Sequence, residues 1–295
     1  MKYEPVFKFA ENCIFITDLF LPSYKKLNPL ITIKNGEWEF FLYEKELKNC
    51  ANEGFKFALS KTFYKKFEKR ALNIGKKVLL FNNIKFDRMN NAEFVSFLEK
   101  LFKTGKEFLD EYKKTEFFYF AKIEKELKDY IGEKISFQEL LAGKINIKSW
   151  PKEKRKLAEY IINMQHLKLK LRGIANKMFI GSESVLVKVL GQIVLKTKRN
   201  DAASMTLKEV IFCLNSKKVK DVSGRHLYSY IKYKKDLKIL SGIKAKEKIE
   251  LLRKNIPKTE VKGIVACKGI IKGIVKIIPL SMNPEKYLSK MEKGN

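Results

Sequence analysis

The stretch Leu30–Cys50, "LITIKNGEWEFFLYEKELKNC", contains the change of pattern that decides the fold class. Two runs rich in β-branched and aromatic residues, 30–33 and 38–43, flank Asn35-Gly36, a dipeptide typical of two-residue β-hairpin turns. From Glu44 onward the apolar residues recur at the spacing of a helix. The sequence therefore predicts an antiparallel hairpin followed directly by helices.

The predicted sheet and the helical region extend outward from this stretch. Short strand-like runs at 7–9 and 13–17 add to the hairpin, so residues 1–43 are predicted to form a small N-terminal antiparallel sheet. Helix starts are predicted downstream by an Asn–Glu pair that resembles a helix start, by two capping boxes and by a proline suited to a first helical turn. These signals are Asn90 with Glu93, Ser136 with Glu139, Thr206 with Glu209, and Pro151.

The helical region is predicted to contain a break and a second pair of strands. The helix break is predicted at Gly181-Ser182, and the strands at 228–233 and 237–240. A basic helix is predicted at 244–254. The fold class that follows is α+β, with a mainly helical middle and a small N-terminal antiparallel sheet.

Charge is the most unusual feature of the composition. The formal net charge is +29, of which residues 151–295 contribute +22. Such an excess suggests an anionic partner. However, only seven of the 62 basic residues are arginine, the residue favoured for bidentate recognition of phosphates and bases. Specific nucleic-acid recognition is therefore not expected, while a lysine-rich polyanion-binding module remains an alternative.

The cysteine, histidine and glycine patterns contain no recognisable chemical site. The four cysteines lie far apart without a CxxC pair, which predicts reduced thiols and neither a zinc site nor a disulfide framework. The two histidines, His166 and His226, have no identifiable partner, and the sequence contains no phosphate-binding glycine loop. We therefore predict no catalytic, cofactor-binding or metal-binding residue in this chain.

Apolar runs in the sequence are short. The longest one near the N-terminus, Cys13–Leu21, is interrupted by Asp18 and preceded by acidic residues, unlike a signal peptide. Other apolar runs are shorter than the ~20 residues that a membrane span requires. These patterns predict a soluble cytoplasmic protein without a membrane partner.

A glycine-punctuated stretch near residue 270 resembles a known family. In Glu260–Pro279, "EVKGIVACKGIIKGIVKIIP", glycines divide two β-branched runs, which predicts a C-terminal β-hairpin. With the following "NPEKYLSKMEKGN", it resembles the start of the swivelling phosphohistidine domain of phosphoenolpyruvate-utilising enzymes. That family includes phosphoenolpyruvate synthase (pyruvate, water dikinase), pyruvate phosphate dikinase and rifampicin phosphotransferase. The matching positions are Gly263, Ala266, Gly269, Gly273 and Lys293-Gly294-Asn295.

Two positions depart from the family pattern. Cys267-Lys268 stands where the family more often has Ser-Pro, and Asn295 stands where it usually has Asp. Neither change removes the glycine framework, which sets the backbone. The stretch therefore still resembles the family at the glycine positions, which set the backbone conformation.

A second resemblance lies upstream. Asp201–Leu214, "DAASMTLKEVIFCL", and 223–245, "SGRHLYSYIKYKKDLKILSGIKA", are similar to the helical linker that precedes the swivelling domain in synthase-like and rifampicin-phosphotransferase-like members. In that linker an acidic residue, a Leu-Thr capping motif and an Arg-bearing segment recur in this order. The resemblance implies a division into 1–43 (small β sheet), 44–256 (helical linker-type region) and 257–295 (incomplete start of the swivelling β/β/α domain).

The resemblance implies a phosphotransferase without its catalytic parts. In the family, a phosphoryl group passes from ATP, bound with Mg²⁺ in an ATP-grasp domain, to a histidine and then to a small-molecule acceptor. That histidine follows the matched segment, so neither His166 nor His226 corresponds to it. We therefore expect a C-terminally truncated fragment that is inactive alone. The alternatives are the polyanion-binding module and a non-catalytic scaffold acting in trans with a separate ATP-grasp subunit.

Overall fold

The computed structural model describes residues 3–10, 13–132, 137–181, 183–215, 217–233 and 237–254. Contacts divide the chain into Met1–Ile256 and Pro257–Asn295, and every described residue belongs to the first unit. The predicted C-terminal hairpin and swivelling-domain start, 257–295, lie outside the described residues. The α+β class with a mainly helical middle is confirmed.

One five-stranded antiparallel sheet unites the two predicted groups of strands. The strand order is β1-β3-β2-β4-β5, and β2 pairs with β4 so that Ile31 faces Ile231. Positive φ angles of 51° at Asn35 and 79° at Gly36 confirm the predicted two-residue turn between β2 and β3. The strands are β1 Tyr3–Ala10, β2 Leu30–Lys34, β3 Glu37–Tyr43, β4 Tyr228–Tyr233 and β5 Leu237–Ser241.

Ten α-helices are described around this sheet. Their bounds are α1 Ile14–Phe20, α2 Glu44–Leu59, α3 Phe63–Leu79, α4 Asn91–Tyr112, α5 Phe117–Ile131, α6 Phe137–Leu141, α7 Lys152–Ala175, α8 Val185–Thr197, α9 Leu207–Leu214 and α10 Ile243–Lys254. The predicted helix start at Asn90 and the predicted capping box of Thr206 with Glu209 are confirmed, and at both helices the box is hydrogen-bonded in both directions. The other predicted box includes Ser136, which lies outside the described residues.

The strand predicted at 13–17 is wrong, because these residues belong to α1. Cys13 precedes the helix and its Sγ accepts a hydrogen bond from the Ile16 N–H at 3.4 Å. Ile14, Phe15 and Leu19 are buried at helical spacing. The β-branched residues favoured a strand locally, but burial of this helical face in the core prevails over that propensity.

A single hydrophobic core joins the sheet to the helices. Fully buried aromatic rings from α1, β3, α3 and α4 all belong to it: Phe15, Phe40, Phe67, Phe94 and Phe108. Ile31 and Ile231, the facing residues of β2 and β4, are part of the same core. Residues 1–43 and the helices therefore share their apolar contacts within this unit.

One apolar helical run deserves comparison with a membrane span. Lys152–Thr197 is long and apolar enough by length and composition, which is weak evidence because core helices of soluble proteins pass the same test. The run is divided, since a π-helical turn at Asn176–Ile180 separates α7 from α8 near the predicted break. The inner face of α8, including Val185 and Ile193, packs into the core. The run therefore forms two helices whose inner faces pack into the core of the described unit.

We predict that Gly54 is required for the contact between α2 and α5. A Cβ atom at Gly54 would lie 1.9 Å from the Tyr119 carbonyl oxygen, so Gly54→Ala forces the two helices apart. The expected loss is about 1–3 kcal/mol in the free energy of unfolding, measured by urea denaturation. Gly191→Ala is the matched control, because nothing lies within 4 Å of a Cβ there. It should stabilise α8 by about 0.5–1 kcal/mol, and equal effects of both changes would contradict the prediction.

Candidate functional site

The segments that resemble the family linker meet around the start of α9. We call residues 199–229 the α9 junction. Thr206 and Glu209 form the capping box, in which a Glu209 carboxylate oxygen accepts from the Thr206 N–H at 2.8 Å. From α1, the Asp18 carboxylate accepts from the Leu207 N–H at 2.7 Å. The first turn of α9 is thereby held by its own sequence and by a residue near the N-terminus.

Arg225 binds the capping glutamate in a bidentate ion pair. Its two terminal nitrogens each donate to one Glu209 carboxylate oxygen at 2.8 Å, and Nη1 also donates to the Ser204 carbonyl at 3.0 Å. The Arg225 and Glu209 side chains are only 17% and 23% exposed. At the same turn, the Ser229 hydroxyl donates to the Arg225 carbonyl at 2.8 Å. Glu209 therefore joins the start of α9 to the residues that lead into β4.

A second arginine fixes the return from α9 toward the sheet. Arg199 Nε donates to Asp201 Oδ1 at 2.8 Å, and its guanidinium also donates to the Val219 and Lys220 carbonyls at 2.8 and 3.1 Å. Asp201 in turn accepts from the Val222 N–H at 3.2 Å. The pairs Arg199–Asp201 and Arg225–Glu209 thus hold both ends of the connection between α9 and β4.

The ionisation of these carboxylates follows from their contacts. The hydrogen bond from Arg199 lowers the pKa of Asp201 from 3.8 to about 2. Burial raises the pKa of Glu209, but the hydrogen bonds from Arg225 and Thr206 outweigh it and the net shift is downward. Burial also raises the pKa of Asp18, which the Leu207 N–H counters only in part. Asp201 and Glu209 therefore act as ionised structural partners of the two arginines.

Only one of the two histidines lies at this junction. His166 is exposed on α7. His226 lies just before β4, where its Nδ1 contacts the Ser223 carbonyl oxygen and its own carbonyl accepts from the Gly36 N–H at 3.0 Å. It lines a shallow cavity of about 550 Å³ together with Arg199 and Asp201. In this cavity the His226 imidazole lies near the ion pair of Arg199 with Asp201. The Asp201 carboxylate already accepts hydrogen bonds from Arg199 and from the Val222 N–H.

Metal-ligating side chains are not grouped among the described residues. Among them, no group of three or more His, Cys, Asp or Glu side chains could hold a metal ion. The Asp201 and Glu209 carboxylates are bound by Arg199 and Arg225, and Asp221 accepts a hydrogen bond from the Ser223 N–H. Of the cysteines, Cys13, Cys50 and Cys213 carry free thiols, and Cys267 lies outside the described residues. No phosphoryl-transfer step is therefore derived from these side chains.

The junction itself contains a groove with an aromatic ring that two lysines flank. Lys208 and Lys217 place their ammonium groups 5.7 and 5.2 Å from the centre of the Phe212 ring, which is 37% exposed. The groove has a volume of about 680 Å³ and is lined by Phe212, Leu227 and Tyr228, whereas the two lysines are not among its lining residues. This surface is created by the return of the chain toward β4, which local sequence patterns do not show.

Sequence patterns missed the arginine contacts, although composition contained a signal. In a chain where lysine supplies nearly all basic residues, an arginine marks a position that requires a planar, bidentate donor. Five of the seven arginines form ion pairs with carboxylates of the same unit, namely Arg70, Arg155, Arg199, Arg225 and Arg253. These five arginines therefore have structural partners within the unit.

Comparison of the chain with protein-family models, with curated proteins and with solved structures finds no match. The family resemblance therefore rests on the residues of 201–295 named above.

We predict that Arg225→Met destabilises the protein by about 2 kcal/mol, because it leaves the partly buried Glu209 carboxylate without its charged donors. The measurement is the free energy of unfolding in urea near pH 7. Arg88→Met is the matched control, since Arg88 is an exposed arginine on the surface. Its effect should stay within about 0.5 kcal/mol. A loss at Arg88 as large as that at Arg225 would refute a specific role for the pair.

We also predict that Asp201 makes stability depend on pH in the acid range. Because its pKa in the folded protein is about 2 against an ordinary 3.8, its contribution is present above about pH 4 and is lost as pH falls toward 2. Asp201→Asn should flatten this part of the stability profile, measured by urea denaturation at several pH values. Asp129→Asn, an exposed change on α5, should leave the profile unaltered. An unchanged slope in Asp201→Asn would contradict the assignment.

Proposed function

We propose that this chain supplies the helical linker region and the first strands of the swivelling domain in a phosphotransferase that resembles phosphoenolpyruvate synthase. The observation that carries the proposal is the bidentate pair between Glu209 and Arg225. The capping motif that contains Glu209 and the segment that contains Arg225 resemble the family linker as two separate stretches of sequence. In the structure these two stretches are in direct contact. This contact gives a physical reason why the two sequence motifs would occur in the same protein.

The described unit is well suited to serve as the base of a mobile domain. Residues 223–245 place β4 in the interior of the sheet and β5 at its edge, so the chain after the junction is fixed by strand pairing. The following helix, α10, is tied to β3 by an ion pair of 2.9 Å between Arg253 and Glu39. Residues up to Lys254 therefore belong to a firmly packed unit, from which the glycine-rich stretch continues.

In this proposal the phosphoryl-transfer chemistry takes place in parts of the enzyme other than the described residues. By analogy with the family, ATP and Mg²⁺ bind in an ATP-grasp domain, and a histidine beyond the matched segment carries the phosphoryl group to a small-molecule acceptor. The proposed compartment is the cytoplasm, where ATP and reduced thiols occur together. This chain contributes the position of the carrier rather than a reacting group.

The proposal is tested on the protein as the source cells make it. We would tag the N-terminus at the native gene, purify the product, and incubate it with ATP labelled in its phosphoryl groups. The expected result is an alkali-stable, acid-labile label typical of phosphohistidine. The coding DNA should continue in frame past Asn295 into a Thr-x-Pro and a Gly-Gly…His segment. A stop codon at that point, with no label on the product or on a co-purifying protein, would overturn the proposal.

Two other outcomes identify the alternatives. A stop codon after Asn295 together with co-purification of a labelled ATP-grasp subunit would show a scaffold that acts in trans. Retention on a polyanion column with a steep dependence on salt would favour the lysine-rich binding module, because counterion release requires such a dependence. The internal ion pairs of Arg199, Arg225 and Arg253 favour the linker proposal over this module.

A further inference from the structure

The apolar character of α8 is not confined to the side that packs into the core. The inner side of this 13-residue helix is buried through Val185, Leu186, Val189 and Ile193. The other side is also apolar and consists of Val187, Leu190, Gly191, Val194 and Leu195. A helix that is apolar all round is ordinarily buried on every side. The outer side of α8 is therefore a candidate contact surface.

These five outer residues form one continuous stripe, which we call the α8 stripe. At 3.6 residues per turn they fall within an arc of about 140° on the helix surface, and Lys188 and Lys196 fall outside that arc. The side chains of Val187 and Leu195 are 40% and 72% exposed, and Gly191 between them is exposed as well. A contiguous apolar surface of this kind typically marks an interaction site.

The preceding helix, α7, shows how a solvent-facing side is built elsewhere in the same chain. Among the large apolar residues of α7, only Leu169 is exposed, at 57%. Most of the other exposed residues of this helix are charged or polar, namely Lys152, Glu153, Glu159, Asn163, His166, Lys170 and Arg172. A single exposed leucine needs no explanation, whereas a whole stripe does. The outer sides of α7 and α8 therefore differ in kind.

The α8 stripe is complementary to itself. Val187 precedes Gly191 by one helical turn, and Leu195 follows it by one turn. A Cβ atom at Gly191 would meet nothing within 4 Å, so the centre of the stripe is open to the close approach of a second helix. If two copies of α8 cross in antiparallel directions at Gly191, each Val187 lies against Leu195 of the other copy.

The charges at the two ends of α8 favour the same antiparallel arrangement. Glu183, just before the N-cap Ser184, has a side chain that is 90% exposed, and its contact with Lys188 Nζ is long, at 4.0 Å. Lys198, the C-cap residue, is exposed at the other end. Antiparallel copies bring Glu183 of each chain beside Lys198 of the other, and they also oppose the two helix dipoles. An anionic membrane would instead repel Glu183.

We propose that the α8 stripe binds the α8 stripe of a second copy of this chain, as an antiparallel helix pair that crosses at Gly191. A helix about 20 Å long offers less contact than the about 1,200–2,000 Å² that stable interfaces bury. The dimer is therefore reversible, with a Kd in the micromolar range. This self-association goes beyond the linker function and uses none of the residues 199–229.

The first test measures the mass of the full chain by sedimentation velocity at protein concentrations from about 1 to 500 μM, a range that brackets a micromolar Kd. The mass should rise from that of one chain toward that of two. Leu195→Gln should raise the Kd about tenfold, because each dimer loses two buried leucines. The matched control is Leu169→Gln, which changes the exposed leucine of α7 and should leave the Kd unaltered.

The second test examines the antiparallel register. Glu183→Lys and Lys198→Glu each bring like charges together at both ends of the pair and should raise the Kd about threefold or more. An equimolar mixture of these two variants restores opposite charges at both ends, so its dimer should regain the affinity of the unchanged chain.

Three results would overturn the proposal. They are a chain that stays monomeric at every concentration, with or without binding to anionic vesicles, a dimer that Leu195→Gln leaves as tight as before, and a mixture no tighter than its separate variants. None of them bears on the linker function, because that rests on the α9 junction.

Discussion

The antiparallel pairing of β2 with β4 is the contact on which the described unit depends. It brings together residues about 200 positions apart in the chain, with Ile31 facing Ile231. Closing a loop of this length costs about 5 kcal/mol in chain entropy by logarithmic scaling. The hydrogen bonds of the pair and the burial of both isoleucines offset that cost, and the packed helices between them share the same core.

The α9 junction follows from this pairing. Once β4 lies beside β2, the turn before it must approach the start of α9, and the N–H groups of Asn35 and Gly36 donate to the Leu227 and His226 carbonyls at 2.7 and 3.0 Å. Arg225 then reaches Glu209 from a backbone that is fixed on both sides. Preorganisation explains why an arginine is used here, since a bidentate pair requires little further ordering when its backbone is already held.

Local features of this fold could be predicted, whereas the contacts that make the site could not. The Asn35-Gly36 turn and the box of Thr206 with Glu209 are determined within four residues, and both are confirmed. The helix at Ile14–Phe20 was missed because its β-branched residues gain their stability from distant core partners. Likewise, Glu209 meets Arg225 only after the chain has turned back, and a capping pattern contains no information about that second partner.

The basic residues fall into two groups according to whether they form ion pairs within the unit. The arginines at 199, 225 and 253 are paired within the unit and lie along the chain between the end of α8 and the end of α10. The lysines at 25, 26 and 106 instead line a cleft without ion partners among the described residues. The two groups therefore differ in what holds them. The three arginines are fixed by carboxylates of the same unit, whereas the three lysines are exposed to solvent.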